Sequence, residues 1–209
     1  MKDIKKTRPL RVLSAADWQH WISKGYVIVR QAVPQDQVDA VVEMLWQFQE
    51  MDPNDDSTWY KPQLRDHKMK ELNNTGMVEV YNHPSMWATR QHPRVYDAFV
   101  DIWDREDLWV AVDRANLNPP NKGARAAGKI NGFVHFDVDV SQRPLPVAVQ
   151  GVLSLKKTGR RDRRLSMPAQ HFLPKLKTGG ASSRRARTRL HPTSPAMSWS
   201  IQKWNPATY

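Results

Sequence analysis

The chain has 209 residues, of which 40% are hydrophobic, with nine tryptophans and no cysteine. This length suits one domain with a packed core, and the absence of cysteine excludes disulfides, thiolate metal sites and a cysteine nucleophile. No apolar run approaches the ~18 residues of a membrane span, and the charged start Met1–Lys6 has no apolar stretch of a secretory signal behind it. We therefore expect a cytoplasmic protein without membrane contact.

The formal net charge of +11 is concentrated in the last quarter of the chain. Residues 1–155 carry 19 Lys and Arg against 20 Asp and Glu, whereas residues 156–209 carry 13 basic residues and the single acid Asp162. The sequence therefore predicts a near-neutral domain over residues 1–155, followed by a basic tail over residues 156–209.

Helices are predicted mainly in the first half of the domain. Ser14 is a suitable N-cap for a helix from Ala15 to Lys24, and Gly25 is placed to end it. Pro34 opens a longer helix to about Met51, in which apolar residues recur at helical spacing at positions 38, 41, 42, 45 and 48. A further helix is predicted from Pro93 to about Arg105, again from its apolar stripe.

Strands are predicted mainly in the second half. Runs rich in β-branched and apolar residues predict strands at residues 26–30, 77–81, 108–112, 133–138 and 147–155. The last run is almost continuously apolar, which is typical of a strand buried on both faces. Because helices come first and strands gather later, the pattern indicates an α+β fold.

The triplet His135-Phe136-Asp137 is the most informative part of the sequence. Residues two apart in a strand point to the same face, so the imidazole and the carboxylate are expected to project together. They are two of the three ligand types in the 2-His-1-carboxylate site of non-haem Fe(II) oxygenases. Taken alone, the pair also fits a strand-edge histidine beside a solvated aspartate, because a metal site requires its full set of ligands.

The sequence around this triplet resembles the phytanoyl-CoA dioxygenase family. The resemblance covers about residues 14–155 and rests on Trp18, on residues 25–30, on the helix after Pro34, on residues 132–141, on Pro144-Leu-Pro and on residues 150–155. It implies a double-stranded β-helix, the jelly roll of cupin-like proteins, as the core, with helices at its N-terminal side.

The resemblance also implies an activity. The chain would be an Fe(II)- and 2-oxoglutarate-dependent dioxygenase that hydroxylates a small organic or acyl substrate. His135 and Asp137 would be the first two iron ligands. Asn118 and Gln150 are candidates to face the 2-oxoglutarate cosubstrate, and the ordinary alternative for both is a hydrogen-bonded amide in the core.

The family pattern stops after Leu155. The family continues with a Gly-Gly-Phe segment and with strands that supply the distal histidine and a basic residue for 2-oxoglutarate, and neither of these residues is identifiable here. Hydrophobic periodicity is lost over residues 156–209, which predicts a disordered or frameshifted tail and a jelly roll that is incomplete at its C-terminus.

A shift of the reading frame explains the loss of the hydrophobic pattern after Leu155. Allowed codons for residues 161–167, read one nucleotide later, encode Glu-Thr-Gly-Gly-Phe-Gln-Cys, the kind of segment that the family has at this place. Lys156-Lys157, encoded by an A-rich run, is a natural slippage point. We therefore interpret the tail as an out-of-frame reading of the domain's end.

Two other interpretations stay open. A basic tail is also typical of a nucleic-acid-binding protein, and contact with nucleic acid is expected only through residues 156–209. Phe172 is the one aromatic residue between positions 156 and 198, which gives little for base stacking. Without the distal ligand, the chain is alternatively a non-catalytic fragment of an oxygenase.

Overall fold

The computed structural model describes residues 5–61, 77–78, 80–117, 119 and 148–156, and the backbone of residues 196–203. The helices in this part of the chain are α1 (Ala15–Lys24), α2 (Gln35–Phe48), α3 (Pro84–Arg90) and α4 (Pro93–Trp103). The strands are β1 (Met77–Val78), β2 (Leu108–Val110), β3 (Ala115–Asn116), β4 (Val149–Ser154) and β5 (Ala196–Lys203). Among the helices described, none has the length and apolar character needed to cross a membrane.

Helices α1 and α2 lie where the sequence predicts them. The Ser14 hydroxyl accepts a hydrogen bond from the Asp17 N–H while the Asp17 carboxylate accepts from the Ser14 N–H, and Gly25 ends α1 in the left-handed conformation at φ 79°. The apolar stripe of α2 is confirmed, since Val41 and Leu45 are fully buried. α2 ends three residues earlier than predicted, just before Glu50 takes a positive φ of 56°.

Helices α3 and α4 share a His-Pro start. His83 and His92 are the N-caps, and Pro84 and Pro93 occupy the first helical positions, where a missing N–H costs nothing. α4 was predicted and ends at Trp103. α3 was not, because seven residues are too few to show helical periodicity.

The five strands form one antiparallel sheet with β5 in the middle. Along one edge β5 pairs with all of β4, from Val149 opposite Ile201 to Ser154 opposite Ala196. Its other edge pairs with β2 and β3, and β1 pairs with β3.

β5 lies within the tail, where the sequence predicts no regular structure. The structure differs at these eight residues, and the reason is visible in Ala-Met-Ser-Trp-Ser-Ile-Gln-Lys, which alternates apolar and polar residues at the strand period of two. The surrounding Pro, Gly and Arg residues obscure that short pattern. Residues 157–195 and 204–209 lie outside the described residues, and the frameshift stays a hypothesis.

One predicted strand is absent, and the strand predicted at residues 147–155 is present but is buried differently from the prediction. Residues 26–30 alternate as predicted, with Tyr26 and Ile28 exposed, but they form no strand because no described strand pairs with them. β4 is buried on one face only: Val149 and Leu153 lie in the core, whereas Val152 is 44% exposed. The predicted strand at residues 133–138 lies outside the described residues, so the jelly roll stays a prediction.

A fully buried carboxylate fastens the N-terminal segment to α4. Asp101 accepts hydrogen bonds of 2.8 Å each from the backbone N–H groups of Arg11, Val12 and Leu13. These three donors replace the water that the carboxylate loses on burial. Because Leu13 directly precedes the N-cap Ser14, the same contact fixes where α1 begins relative to α4.

A second carboxylate, directly after α4, binds the same segment. The Asp104 carboxylate accepts hydrogen bonds from the backbone N–H groups of Thr7 at 2.7 Å and Arg8 at 3.0 Å. It also forms an ion pair with the Lys6 ammonium at 2.9 Å. Burial by itself raises the pKa of Asp104, but the hydrogen bonds from Thr7, Lys6 and Arg8 outweigh it and hold that pKa well below its usual range.

We predict that Asp101→Ala lowers the free energy of unfolding by about 3 kcal/mol, because it leaves buried N–H groups without an acceptor. Asp97→Ala is the matched control, since Asp97 lies one turn earlier on α4 and contributes only a partly exposed pair with Arg11. Its removal is expected to cost less than about 1 kcal/mol. Urea unfolding of both variants tests this, and equal losses would contradict the role given to Asp101.

The second prediction concerns the stability of the fold at acid pH. Because folding lowers the pKa of Asp104, the unfolded chain binds this proton more readily, so the stabilisation is complete above about pH 4 and is lost as the pH falls below it. Asp104→Asn removes the charge while keeping a residue that tolerates the left-handed backbone.

The wild type is therefore expected to lose unfolding free energy more steeply than Asp104→Asn between about pH 4 and pH 2. Urea midpoints measured across this range give the comparison. Parallel curves for the two proteins would show that the Asp104 contacts contribute nothing.

Candidate functional site

A cleft of about 1430 Å³ lies between the extended segment 26–35, helices α2 and α4, and strand β4. Most of its walls are apolar, with Val33, Val38 and Phe99 among the buried contributors. A concave apolar surface with a few polar side chains is the usual form of a small-molecule site. This cleft is therefore the candidate functional site of the described chain.

Polar residues also line the cleft. They are Gln31, Gln35, Asp39, His92, Gln150, Ser154 and Lys156. Asp39 and Lys156 bring opposite formal charges, and the Asp39 carboxylate already accepts a hydrogen bond of 2.8 Å from the Gln35 amide. A ligand would therefore meet mainly neutral donors and acceptors on an apolar background.

Gln150 is the one predicted site residue that the structure describes. The alternation of β4 places Gln150 and Ser154 on the exposed face, whereas Val149 and Leu153 pack into the core. Gln150 is thus an exposed amide on the wall of the cleft, not a buried core amide. The role of Gln150 toward a cosubstrate stays a prediction.

The other predicted site residues, Asn118, His135 and Asp137, lie outside the described residues. Within the part of the chain that is described, no three His, Cys, Asp or Glu side chains come close enough to hold a metal ion. The assignment of His135 and Asp137 as iron ligands stays a prediction.

A buried arginine ties together the chain segments around β1 and β3. Arg90 is fully buried, and its guanidinium donates to the carbonyl of Tyr81 at 2.7 Å and to the carbonyl of Asp113. Burial lowers the pKa of Arg90, and the charge of Asp113 partly offsets this. Because Tyr81 follows β1 and Asp113 precedes β3, Arg90 holds the backbone in place next to both strands.

Sequence reasoning did not identify Asp39, His92 or Lys156 as residues of the cleft. Asp39 lies on the polar face of α2, His92 stands alone in the sequence, and Lys156 was counted with the basic tail. None belongs to a motif, since the cleft brings together residues from distant parts of the chain. The one signal available for His92 was the dipeptide His92-Pro93, which is typical of a helix start.

Comparison with known proteins gives one similarity. The chain is 28% identical over 152 residues to the Ava biosynthesis cluster protein O of Aspergillus versicolor, an alignment that covers 70% of this chain and 47% of that protein. The chain thus spans about half the length of this curated relative. No family model matches the chain. No solved structure matches it either.

Proposed function

We propose that this chain carries the first iron ligands and part of the substrate cleft of an Fe(II)- and 2-oxoglutarate-dependent dioxygenase that hydroxylates a small organic molecule. The observation that carries the proposal is the pair His135 and Asp137, two donors of the type that Fe(II) takes, spaced for one strand face. The similarity to a biosynthesis cluster protein is in keeping with a role in biosynthesis.

The described residues support a binding role for the cleft. Its apolar walls favour the transfer of an apolar substrate out of water. The carboxamide of Gln150 offers an NH₂ group with two donor hydrogens and a carbonyl acceptor, with which it could orient a polar group of the cosubstrate or the substrate.

The ligand pair has its own requirements. His135 binds a metal only as the neutral imidazole and Asp137 only as the carboxylate, so metal affinity should fall as the pH falls. The bound Fe(II), with 2-oxoglutarate and O₂, would supply the oxidising chemistry, and the overall reaction yields the hydroxylated product, succinate and CO₂. A complete site also needs a third protein ligand and a cation for the 2-oxoglutarate carboxylate.

The proposal predicts weak metal binding by the full chain. Titration with Mn(II), a redox-stable substitute for Fe(II), should give a weak site that His135→Ala and Asp137→Ala each abolish, because two ligands already form an incomplete site. His20→Ala is the matched control, since His20 lies on α1 and belongs to no predicted ligand set. Unchanged Mn(II) binding in the His135→Ala, Asp137→Ala double variant would overturn the ligand assignment.

The proposal also predicts that the chain as written does not consume 2-oxoglutarate. The sequence has no hydrophobic pattern around the arginines and histidines between residues 156 and 195, so it predicts no positioned third ligand and no carboxylate-binding cation there. A gene restored to the alternative frame after about Lys157 should regain the Gly-Gly-Phe segment, the distal ligand and activity together.

The measurement is succinate formation from 2-oxoglutarate with Fe(II), in the written chain, the restored chain and the restored chain carrying His135→Ala. Turnover is expected in the restored chain alone. Iron-dependent, His135-dependent turnover by the written chain would contradict the frameshift and would mean that the tail supplies the missing groups.

A further inference from the structure

A smaller groove, here called the outer groove, adjoins the cleft. Its volume is about 450 Å³, and Asp39, Val42 and Lys156 line both spaces. Val42, Trp46 and Met51 give the outer groove apolar walls, and all three are half-buried. The volume lies in the range of about 300–1,000 Å³ that is usual for small-molecule sites. A ligand in the cleft can therefore extend into the outer groove.

The aromatic wall of the outer groove is held in place by the chain that follows α2. The Met51 N–H donates to the Trp46 carbonyl at 3.0 Å, directly after Glu50 turns the backbone with its positive φ. The ring of Trp59 lies 5.6 Å from the ring of Trp46, and the Trp59 indole N–H donates to the Asp52 carbonyl at 2.6 Å. The aromatic wall is therefore formed before a ligand binds.

The outer groove lies in an acidic stretch of the chain. Two of its carboxylates, those of Asp39 and Glu43, line the groove together with the single ammonium of Lys156, so the lining has an excess of one negative formal charge. Residues 34–60 contain no lysine or arginine but seven acidic residues, which are Asp36, Asp39, Glu43, Glu50, Asp52, Asp55 and Asp56. Such a concentration of one charge attracts ligands of the opposite charge.

The two carboxylates of the outer groove have neutral partners. Asp39 accepts a hydrogen bond of 2.8 Å from the Gln35 amide, and Glu43 accepts one of 3.1 Å from the Gln47 amide. Neither carboxylate belongs to an ion pair between described residues. Because Asp39 and Glu43 are four residues apart on one helix, their charges repel each other. A cation bound in the groove would offset this repulsion.

We propose that the outer groove binds a protonated nitrogen group of the substrate, joined to a flat apolar body that packs on Trp46. Carboxylates form charge-assisted hydrogen bonds with such a group, and an aromatic ring attracts both a cation and a second ring. The inference deepens the proposed function and rests on it, because the cation belongs to the substrate only if the cleft is the substrate site.

Ligand-observed NMR titration of the metal-free full chain at low ionic strength tests the proposal with three probes that share one ring. The probes are 2-phenylethylammonium, the neutral 2-phenylethanol and the anion phenylacetate. The ammonium should bind about tenfold more tightly than the alcohol, since each carboxylate contributes about threefold at a solvent-exposed position. Phenylacetate should bind most weakly of the three.

Variants on α2 locate the preference in the outer groove. Asp39→Asn and Glu43→Gln should each weaken binding of the ammonium about threefold, and the double variant should bind the ammonium and the alcohol equally. Asp36→Asn is the matched control, because it removes a carboxylate from the same helix outside the groove, and it should change the affinity less than twofold. Trp46→Leu should weaken the ammonium and the alcohol, which share the ring.

Three outcomes would overturn the proposal. They are equal affinities for the ammonium and the alcohol in the wild type, a preference for the ammonium that survives in the Asp39→Asn, Glu43→Gln double variant, and tightest binding of phenylacetate, which would assign the groove to anions through Lys156. His135→Ala should keep the wild-type preference. A failure of the outer groove is therefore distinguishable from a failure of the metal site.

Discussion

The carboxylate of Asp101 lies in the interior of the helical layer, and three consecutive backbone N–H groups close around it. A carboxylate left without these donors would be costly to bury, so the N-terminal segment cannot leave α4 without a large loss of stability. This one contact determines where α1 begins, and α1 leads directly into the extended segment that forms a wall of the cleft. The hydrogen bonds of Asp104 and Arg90 extend the same arrangement, each linking a helix end to the backbone of a distant segment.

Local signals in the sequence predicted the parts of the fold that local interactions decide. Ser14 and Gly25 bound α1 because a capping box and a left-handed residue act within a single turn. The segment at residues 26–30 was predicted as a strand because its alternation is correct, yet strand formation depends on a partner that the local sequence does not reveal. β5 was missed for the opposite reason: a short alternating run was surrounded by residues typical of disorder.

The candidate site shows the same division. Gln150 was singled out because a polar residue inside an apolar strand is a local anomaly, and it is one of the residues that line the cleft, while its role toward a cosubstrate stays a prediction. Asp39, His92 and Lys156 were not found, because only the packing of α2, α4 and β4 brings them to one cleft.

The central claim is that His135 and Asp137 bind a divalent metal as part of an oxygenase site. Electron spin-echo envelope modulation of the Mn(II)-loaded full chain tests it most directly, because it detects the nitrogen of a metal-bound imidazole. The account predicts modulation from one directly bound nitrogen in the wild type and in His20→Gln, and its loss in His135→Gln. Absence of nitrogen modulation in the wild type, or its persistence in His135→Gln, would contradict the claim.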